Sequence, residues 1–143
     1  RQCERIRSVI GPGETVSHIE IYDGSFFLIA PGYLEGERYL PTDMTSFTNV
    51  VCGIPPGPEN LELAADRSAQ LSLETVGNIQ ADHVFLSAFT GAEDTVREIE
   101  SSALWSRVPA VANGRVYDAP PLRWSSYPSY QWSLAQRADA VTG

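Results

Sequence analysis

The sequence predicts a layered α/β domain, with a largely parallel central sheet flanked by helices and a β-hairpin near the N-terminus. The hairpin follows from an Asp23-Gly24 pair between two β-rich runs, which is a strong short-range signal for such a turn. Residues 83–87, HVFLS, have the composition of a strand that is buried on both faces. Predicted strands and helices alternate from residue 69 onward, which is typical of a layered domain with parallel strands.

The N-terminal residues 1–10 have a helical composition, lack an N-cap signal and end at a Gly-Pro-Gly break over residues 11–13. We therefore expect the chain to begin inside a helix, as a fragment of a longer protein whose export signal is lost. The first strand of the hairpin follows over residues 15–22, and its partner covers residues 25–30.

Residues 33–41 are polar and aromatic, and we expect them to form a loop with at most one helical turn. Thr42 and Asp43 can then cap a helix. Its apolar positions recur at helical spacing at Met44, Phe47, Val51 and Ile54. The proline-rich run at 55–58 allows no regular structure.

The second half of the chain contains the alternating elements. Before the buried strand come a short apolar run at 69–71 and a helix at 72–80. After it come a helix at 92–101, a turn at 103–105, a strand at 115–118 and a final helix at 128–140. The turn before the last strand is predicted from Asn113-Gly114.

Composition limits the function. With 143 residues, 43% of them hydrophobic, the chain can bury the core of one domain. Its net charge of −8 lacks the positive field that nucleic-acid binding requires. No run approaches the roughly 20 apolar residues that span a bilayer. We therefore expect no nucleic-acid partner and no direct membrane insertion of this chain.

The two cysteines, Cys3 and Cys52, are far apart and belong to no CxxC or Cys/His cluster, so neither a zinc site nor a thioredoxin-like motif is indicated. In an oxidising compartment they can form a disulfide, and two separate thiols are an equal alternative. The spacing does not decide between the two.

Catalytic patterns are missing from the sequence. It contains no GxSxG, no GxGxxG after a strand, no Walker loop and no HExxH. His18 and His83 have no partners at motif spacing, and we expect both to be structural or surface histidines rather than catalytic ones. The sequence therefore predicts a protein that is not an enzyme and that has no cofactor.

Aromatic and arginine side chains are concentrated in the predicted loops. In an open α/β sheet, ligands bind beyond the carboxyl ends of the strands, where such loops carry function. Rings and guanidinium groups suit a planar, anionic ligand through stacking and ion pairing. The predicted ligand contacts are Trp124, Tyr127, Arg123, Tyr33, Tyr39, Arg38 and Phe89. Trp105 and Trp132 are assigned to the core instead.

The order of these elements resembles a known family. Residues 71–76, LSLETV, and 81–87, ADHVFLS, resemble a signature of the C-terminal lobe of iron-siderophore and cobalamin solute-binding proteins. Residues 104–117, LWSRVPAVANGRVY, resemble its continuation, and Trp124 before a terminal helix also fits. The resemblance is dense over residues 69–141 and looser over residues 14–60.

The resemblance implies two α/β lobes joined by a long rigid helix, with the ligand held in the cleft between them. Residues 1–10 would be the end of that helix and residues 11–143 the C-terminal lobe. The protein would be the substrate-binding component of an ABC importer, binding a ferric siderophore or related metal chelate and delivering it to the permease. Glu74 would be presented to arginines of a permease subunit.

The family also implies a location in the bacterial cell envelope, on its periplasmic or extracellular face, with the full-length protein anchored as a lipoprotein. A different interpretation of the same fold class is a flavodoxin-like enzyme or regulatory domain with an unidentified small-molecule ligand. That alternative requires a carboxylate or nucleophile cluster at the strand ends, where the sequence has hydroxyl and aromatic groups.

Overall fold

The structure is a computed structural model. It describes residues 1–30, 33–35, 38–40, 47–59, 68–119 and 127–143. Within these ranges, the side chains of residues 33–35, 38–40, 47, 50 and 127–133 are not described.

A mixed sheet is the centre of the fold. In chain order its strands are β1 Val16–Tyr22, β2 Ser25–Leu28, β5 Ala69–Leu71, β6 His83–Ala88 and β7 Val116–Asp118, and they are arranged as β5-β2-β1-β6-β7. β1, β6 and β7 run parallel, whereas β2 is antiparallel to both β1 and β5. The predicted α/β class and hairpin are therefore confirmed, with a sheet whose parallel half is β1-β6-β7.

Helices flank this sheet. They are α1 Gln2–Arg7, α2 Phe47–Cys52, α3 Glu93–Glu100, α4 Ala103–Ser106, α5 Pro109–Ala112 and α6 Tyr127–Thr142, with one 3₁₀ turn at Val76–Asn78. No helix within the described ranges is long and apolar enough to cross a membrane.

The β1–β2 turn has the predicted Asp-Gly sequence. Tyr22 pairs with Ser25 across it, so Asp23 and Gly24 form the loop. Gly24 has φ +80°, a conformation that is strained for residues with a Cβ. The Asp23-Gly24 dipeptide thus fixes the register of the hairpin.

One face of the sheet, which we call the inner face, packs against α3, α4 and α5. Side chains of a strand alternate between faces, and Ile19 and Ile21 of β1 both point to this side, each 1% exposed. They join one apolar cluster with Ile99 and Trp105. Burial of each such side chain contributes about 1.5–3 kcal/mol. Trp105 is 4% exposed, as predicted for a core residue.

The other face, which we call the outer face, packs against α1, α2 and α6 along its first half. Val16 and Phe85 form a second apolar cluster with Ile6 of α1 and Leu134 and Ala138 of α6. The terminal helices α1 and α6 therefore lie side by side over the same part of the sheet.

A disulfide connects α1 to α2. Cys3 and Cys52 are bonded, with an S–S distance of 2.07 Å and a Cα–Cα distance of 5.2 Å. This resolves the alternative that the sequence left open. Arg5 adds an ion pair to Asp139 of α6, at 2.6 Å. Helix α1 is thus attached covalently to α2 and by an ion pair to α6.

The predicted helix at 72–80 is wrong. Residues 73–75 form a turn, and only Val76–Asn78 is helical, as one 3₁₀ turn. Ser72 Oγ accepts hydrogen bonds from the backbone amides of Glu74 and Thr75, each at 3.2 Å. Such local side-chain bonds compete with helix formation.

The predicted loop at 33–41 is also wrong in part. The structure has two short antiparallel strands there, β3 Tyr33–Glu35 and β4 Arg38–Leu40. Tyrosine favours strands, and the opposite charges of Glu35 and Arg38 occupy paired positions. The predicted cap at Thr42 and Asp43 lies outside the described residues.

Candidate ligand-binding cavity

Along β1, the side chains on the outer face change from buried to partly exposed. Val16 and His18, in its first half, are 0% and 3% exposed. Glu20 and Tyr22, which follow on the same face, are partly exposed. The carboxyl end of β1 therefore presents polar and aromatic side chains on the face whose other end is packed against the terminal helices.

A cavity of about 480 Å³ lies at this end of the outer face. Its lining residues are Glu20, Tyr22, Ser25, Phe27, Ile29 and Ser68. The volume falls within the usual range for small-molecule sites, and so does the combination of rings with a few polar groups. Most of the lining comes from the β1–β2 hairpin, which is a rigid support for a binding site.

Three rings form a fixed group around Tyr22. Phe89 stacks on the Tyr22 ring with centroids 4.4 Å apart and planes within 10°. Phe27 meets Tyr22 edge-on, at 5.7 Å and 83°. Both arrangements are favourable for aromatic pairs. The Phe89 amide donates to the Ile21 carbonyl at 2.9 Å, which ties the end of β6 to the end of β1.

Glu20 fixes the orientation of the Tyr22 ring. The Tyr22 hydroxyl donates to Glu20 Oε2 at 2.7 Å, and the two residues are neighbours on one face of the strand. A hydrogen bond to an ionised carboxylate is stronger than one between neutral groups. The cavity therefore contains a negative charge beside an immobilised ring.

His18 lies directly behind the cavity. It is next to Glu20 on the same strand face, and its carbonyl accepts from the amide of the lining residue Ile29 at 2.9 Å. The ring stacks on Phe85 at 5.3 Å, and neither ring nitrogen has a hydrogen-bond partner among the described residues. Burial, and secondarily the nearby Arg137 charge, lowers the pKa of His18 well below 6.5. His18 is therefore neutral at pH 7.

A polar network lies at the opposite end of the sheet, where the parallel strands begin. Glu14 Oε2 accepts from Arg115 at 2.6 Å and lies 3.4 Å from His83 Nε2. His83 Nδ1 is 2.9 Å from the Tyr117 hydroxyl. The hydrogen bond from the Gly11 amide, more than any other contact, lowers the pKa of Glu14, and burial raises the pKa of Tyr117. The network joins the starts of the three parallel strands and is distant from the cavity.

Glu74 is exposed in the turn that follows β5. The last residue of that strand, Leu71, pairs with Phe26 at the start of β2. Glu74 therefore lies outside the core, at the same end of the sheet as the carboxyl end of β1.

The structure describes the predicted ligand contacts unequally. Phe89 is fully described and belongs to the ring group at the cavity. For Tyr33, Arg38, Tyr39 and Tyr127 only the backbone is described, on β3, β4 and the first residue of α6. Arg123 and Trp124 lie outside the described residues.

Sequence reasoning missed Glu20, Tyr22 and Phe27. A usable signal was present, because Glu20 and Tyr22 alternate with the apolar Ile19 and Ile21. Such alternation places the polar pair on one face of a strand.

The described side chains include no group of three His, Cys, Asp or Glu residues that could hold a metal ion. A bare ion therefore has no evident site among them. The rings and the carboxylate suit an organic ligand, which can include one that carries its own metal.

No protein-family model matches the chain. Solved structures do match it, and at 14–18% identity they define the fold. Nearly the whole chain superposes on about half of several bacterial binding proteins. The chain therefore has the FhuD fold of siderophore and ferric-citrate ABC-transporter binding proteins and corresponds to one lobe of it.

The individual similarities are as follows. A FhuD-fold periplasmic binding protein of a Fep/Fec-like ferrichrome ABC transporter from Bacillus subtilis matches with TM-score 0.74 and 18% identity, over 99% of this chain and 52% of its own. FhuD2 from Staphylococcus aureus, with bound ferrioxamine B, matches with TM-score 0.75 and 14% identity, over 98% and 52%. FeuA from Bacillus subtilis, complexed with ferri-bacillibactin, matches with TM-score 0.70 and 18% identity, over 98% and 49%.

A sequence relative agrees with these structures. The Fe(3+)-citrate-binding protein YfmC of Bacillus subtilis is 33% identical over 72 residues, which are 50% of this chain and 22% of the relative. The chain spans about half the length of the solved relatives it matches. Three of these four relatives are named as binding proteins, and the fourth was solved with ferrioxamine B bound.

Proposed function

We propose that this chain is the C-terminal lobe of the solute-binding protein of an ABC importer, and that it binds a ferric siderophore or related metal chelate. One observation carries the proposal, namely that 98–99% of the chain superposes on one half of proteins of this kind. Two of those proteins were solved with a ferric siderophore bound. The 480 Å³ cavity supplies a surface for part of such a ligand.

Residues 1–10 are, in this proposal, the end of the helix that joins the two lobes, and residues 11–143 are the lobe. The contacts of α1 support this division. Ile6 and Ile10, 0% and 3% exposed, anchor it to the lobe, and the Cys3–Cys52 disulfide holds its start. A joining helix attached in this way presents its lobe in one fixed orientation.

The ligand lies in the cleft between the lobes, against the outer face near the cavity. The chain leaves the hairpin at Ile29 and returns at Ser68, and both residues line the cavity. Tyr33, Arg38 and Tyr39 belong to the segment between them. With Phe89, Arg123, Trp124 and Tyr127, these residues provide rings that stack on the chelate and cations that pair with its anionic groups.

The protein works in the cell envelope, on the periplasmic or extracellular face, and a lipid anchor on the full-length protein holds it at the membrane. The Cys3–Cys52 disulfide supports this location, because such bonds persist in oxidising compartments and are rare in the cytosol of most organisms. Glu74, exposed at the carboxyl edge of the sheet, meets arginines of the permease.

Titration of the two-lobe protein tests the function. Tryptophan emission is followed while ferric hydroxamate, ferric catecholate, ferric citrate and corrinoid ligands are added separately, and iron-free chelators serve as controls. Saturable quenching at sub-micromolar concentration by at least one ferric chelate is expected. If none of the iron complexes binds, the proposal is wrong.

A further inference from the structure

Given the proposed function, we infer that the cavity at Glu20 is a subsite for a positively charged, ammonium-bearing arm of the bound chelate. The cavity is lined by one carboxylate, two aromatic rings, two hydroxyl-bearing serines and one isoleucine. Each polar lining group can accept a hydrogen bond from an ammonium group. None of these lining residues is a cation.

The ring geometry suits a cation. Tyr22 and Phe27 both line the cavity, and their ring planes meet at 83° with centroids 5.7 Å apart, so two nearly perpendicular rings border it. A cation within about 6 Å of the face of an aromatic ring is attracted by the ring quadrupole, and aromatic cages bind ammonium ligands in this way. Phe89 stacks on Tyr22 at 4.4 Å and supports the position of that ring.

Glu20 supplies the opposite charge. Its Oε2 accepts from the Tyr22 hydroxyl at 2.7 Å, and Glu20 lines the cavity beside Tyr22. Glu20 and Tyr22 each make a further contact within the chain. A Glu20→Gln exchange removes the charge while keeping the size of the side chain and an oxygen that can accept from the Tyr22 hydroxyl.

This subsite complements the predicted arginines. Arg38 and Arg123 are assigned to the anionic iron-binding groups of the ligand, whereas Glu20 acts on a different part of it. A carboxylate at the cavity also disfavours a polyanion that carries no ammonium group, because like charges repel. The subsite would therefore select among ferric chelates rather than determine whether they bind.

A matched ligand pair tests the subsite in the two-lobe protein. One ligand is a ferric tris-hydroxamate with a free terminal primary amine, which is protonated at pH 7, and the other is the same chelate with that amine acetylated. The wild-type protein is expected to bind the free amine about tenfold more tightly. In Glu20→Gln the two affinities should agree within about twofold, and ferric citrate should bind more tightly than it does to the wild type.

Two further variants complete the experiment. Phe27→Leu removes one ring and should reduce the preference to about threefold. Glu98→Gln removes an exposed carboxylate of α3 and should retain the full preference. Equal wild-type affinity for the two chelates would overturn the subsite, and so would a preference that survives Glu20→Gln. If neither chelate binds but another ferric chelate does, the subsite fails and the proposed function stands. Failure of every iron complex contradicts both.

Discussion

At the scale of single residues, Trp124 is the sharpest ligand-binding prediction. A ring in the segment that precedes α6 in the sequence can stack on a planar ferric chelate, and loss of a stacking aromatic typically costs about 1–3 kcal/mol. Trp124→Ala in the two-lobe protein should therefore weaken chelate binding by roughly tenfold or more. Trp105→Phe, at a core position 4% exposed, is the matched control and should leave affinity intact. Unchanged affinity of Trp124→Ala for every chelate that the wild type binds would rule the contact out.

A variant of Glu74 can distinguish docking to the permease from ligand binding. It is exposed and outside the core, so its removal should cost at most a few tenths of a kcal/mol of stability. Glu74→Ala should keep normal chelate affinity while lowering chelate uptake or binding to the permease several-fold. Glu98→Ala, another exposed carboxylate, is the control. Normal uptake by Glu74→Ala would contradict the docking role.

His18 makes stability depend on pH. Its pKa in the folded protein is well below the unfolded value of 6.5 because it is buried, with Arg137 nearby. The unfolded chain therefore binds more protons, so this contribution is complete above about pH 6.5 and is lost as the pH falls toward the folded pKa. Through this group the folded state should therefore be less stable at pH 5 than at pH 7. Urea unfolding of His18→Phe, which cannot titrate, should show a correspondingly smaller loss over that interval; an identical loss would contradict the assignment.

At the scale of elements, local signals predicted much of the fold. The Asp23-Gly24 turn, the apolar residues of β6 and the Asn113-Gly114 turn are short-range patterns, and the elements beside them formed as expected. The helix predicted at 72–80 failed because the hydroxyl of Ser72 bonds to nearby amides, a competition that helical spacing does not reveal. The strands β3 and β4 are stabilised by hydrogen bonds to each other, and the polar and aromatic composition of residues 33–41 does not predict that pairing.

The site was less predictable than the fold. Phe89 can be identified from the sequence because it follows a buried strand. Its stacking partner Tyr22 can be identified only when it is known which face of β1 is covered by α1 and α6. That covering involves residues more than a hundred positions apart in the chain. The disulfide between Cys3 and Cys52 is similar, since only the fold brings the two residues within a Cα–Cα distance of 5.2 Å.

The disulfide should be the main support of α1. It closes a loop of 49 residues, and in the chain-entropy account such a bond contributes about 2–4 kcal/mol. The double variant Cys3→Ser/Cys52→Ser should lower the urea midpoint accordingly. Added reductant should have a similar effect on the wild type and none on the variant. The role would be contradicted if reductant converts both cysteines to free thiols and the urea midpoint of the wild-type protein does not change.

At the scale of the whole molecule, the proposed function makes this chain one wall of a two-walled site. The apolar clusters on both faces of the sheet give this chain its own core, so we expect it to fold alone. Binding should nevertheless be weak, because a ligand on one wall leaves much of its surface in water. Fluorescence titration should give at least about a hundredfold lower affinity for the isolated chain than for the two-lobe protein. Sub-micromolar binding by the chain alone would contradict this expectation.

A crystal structure of the two-lobe protein with its tightest ferric chelate is the most direct test of the central claim, that the outer face at the carboxyl end of β1 is one wall of the binding site. We expect the chelate to lie between the lobes, in contact with Tyr22, Phe27 and Trp124. A chelate bound elsewhere, with the 480 Å³ cavity beside Glu20 untouched, would contradict it.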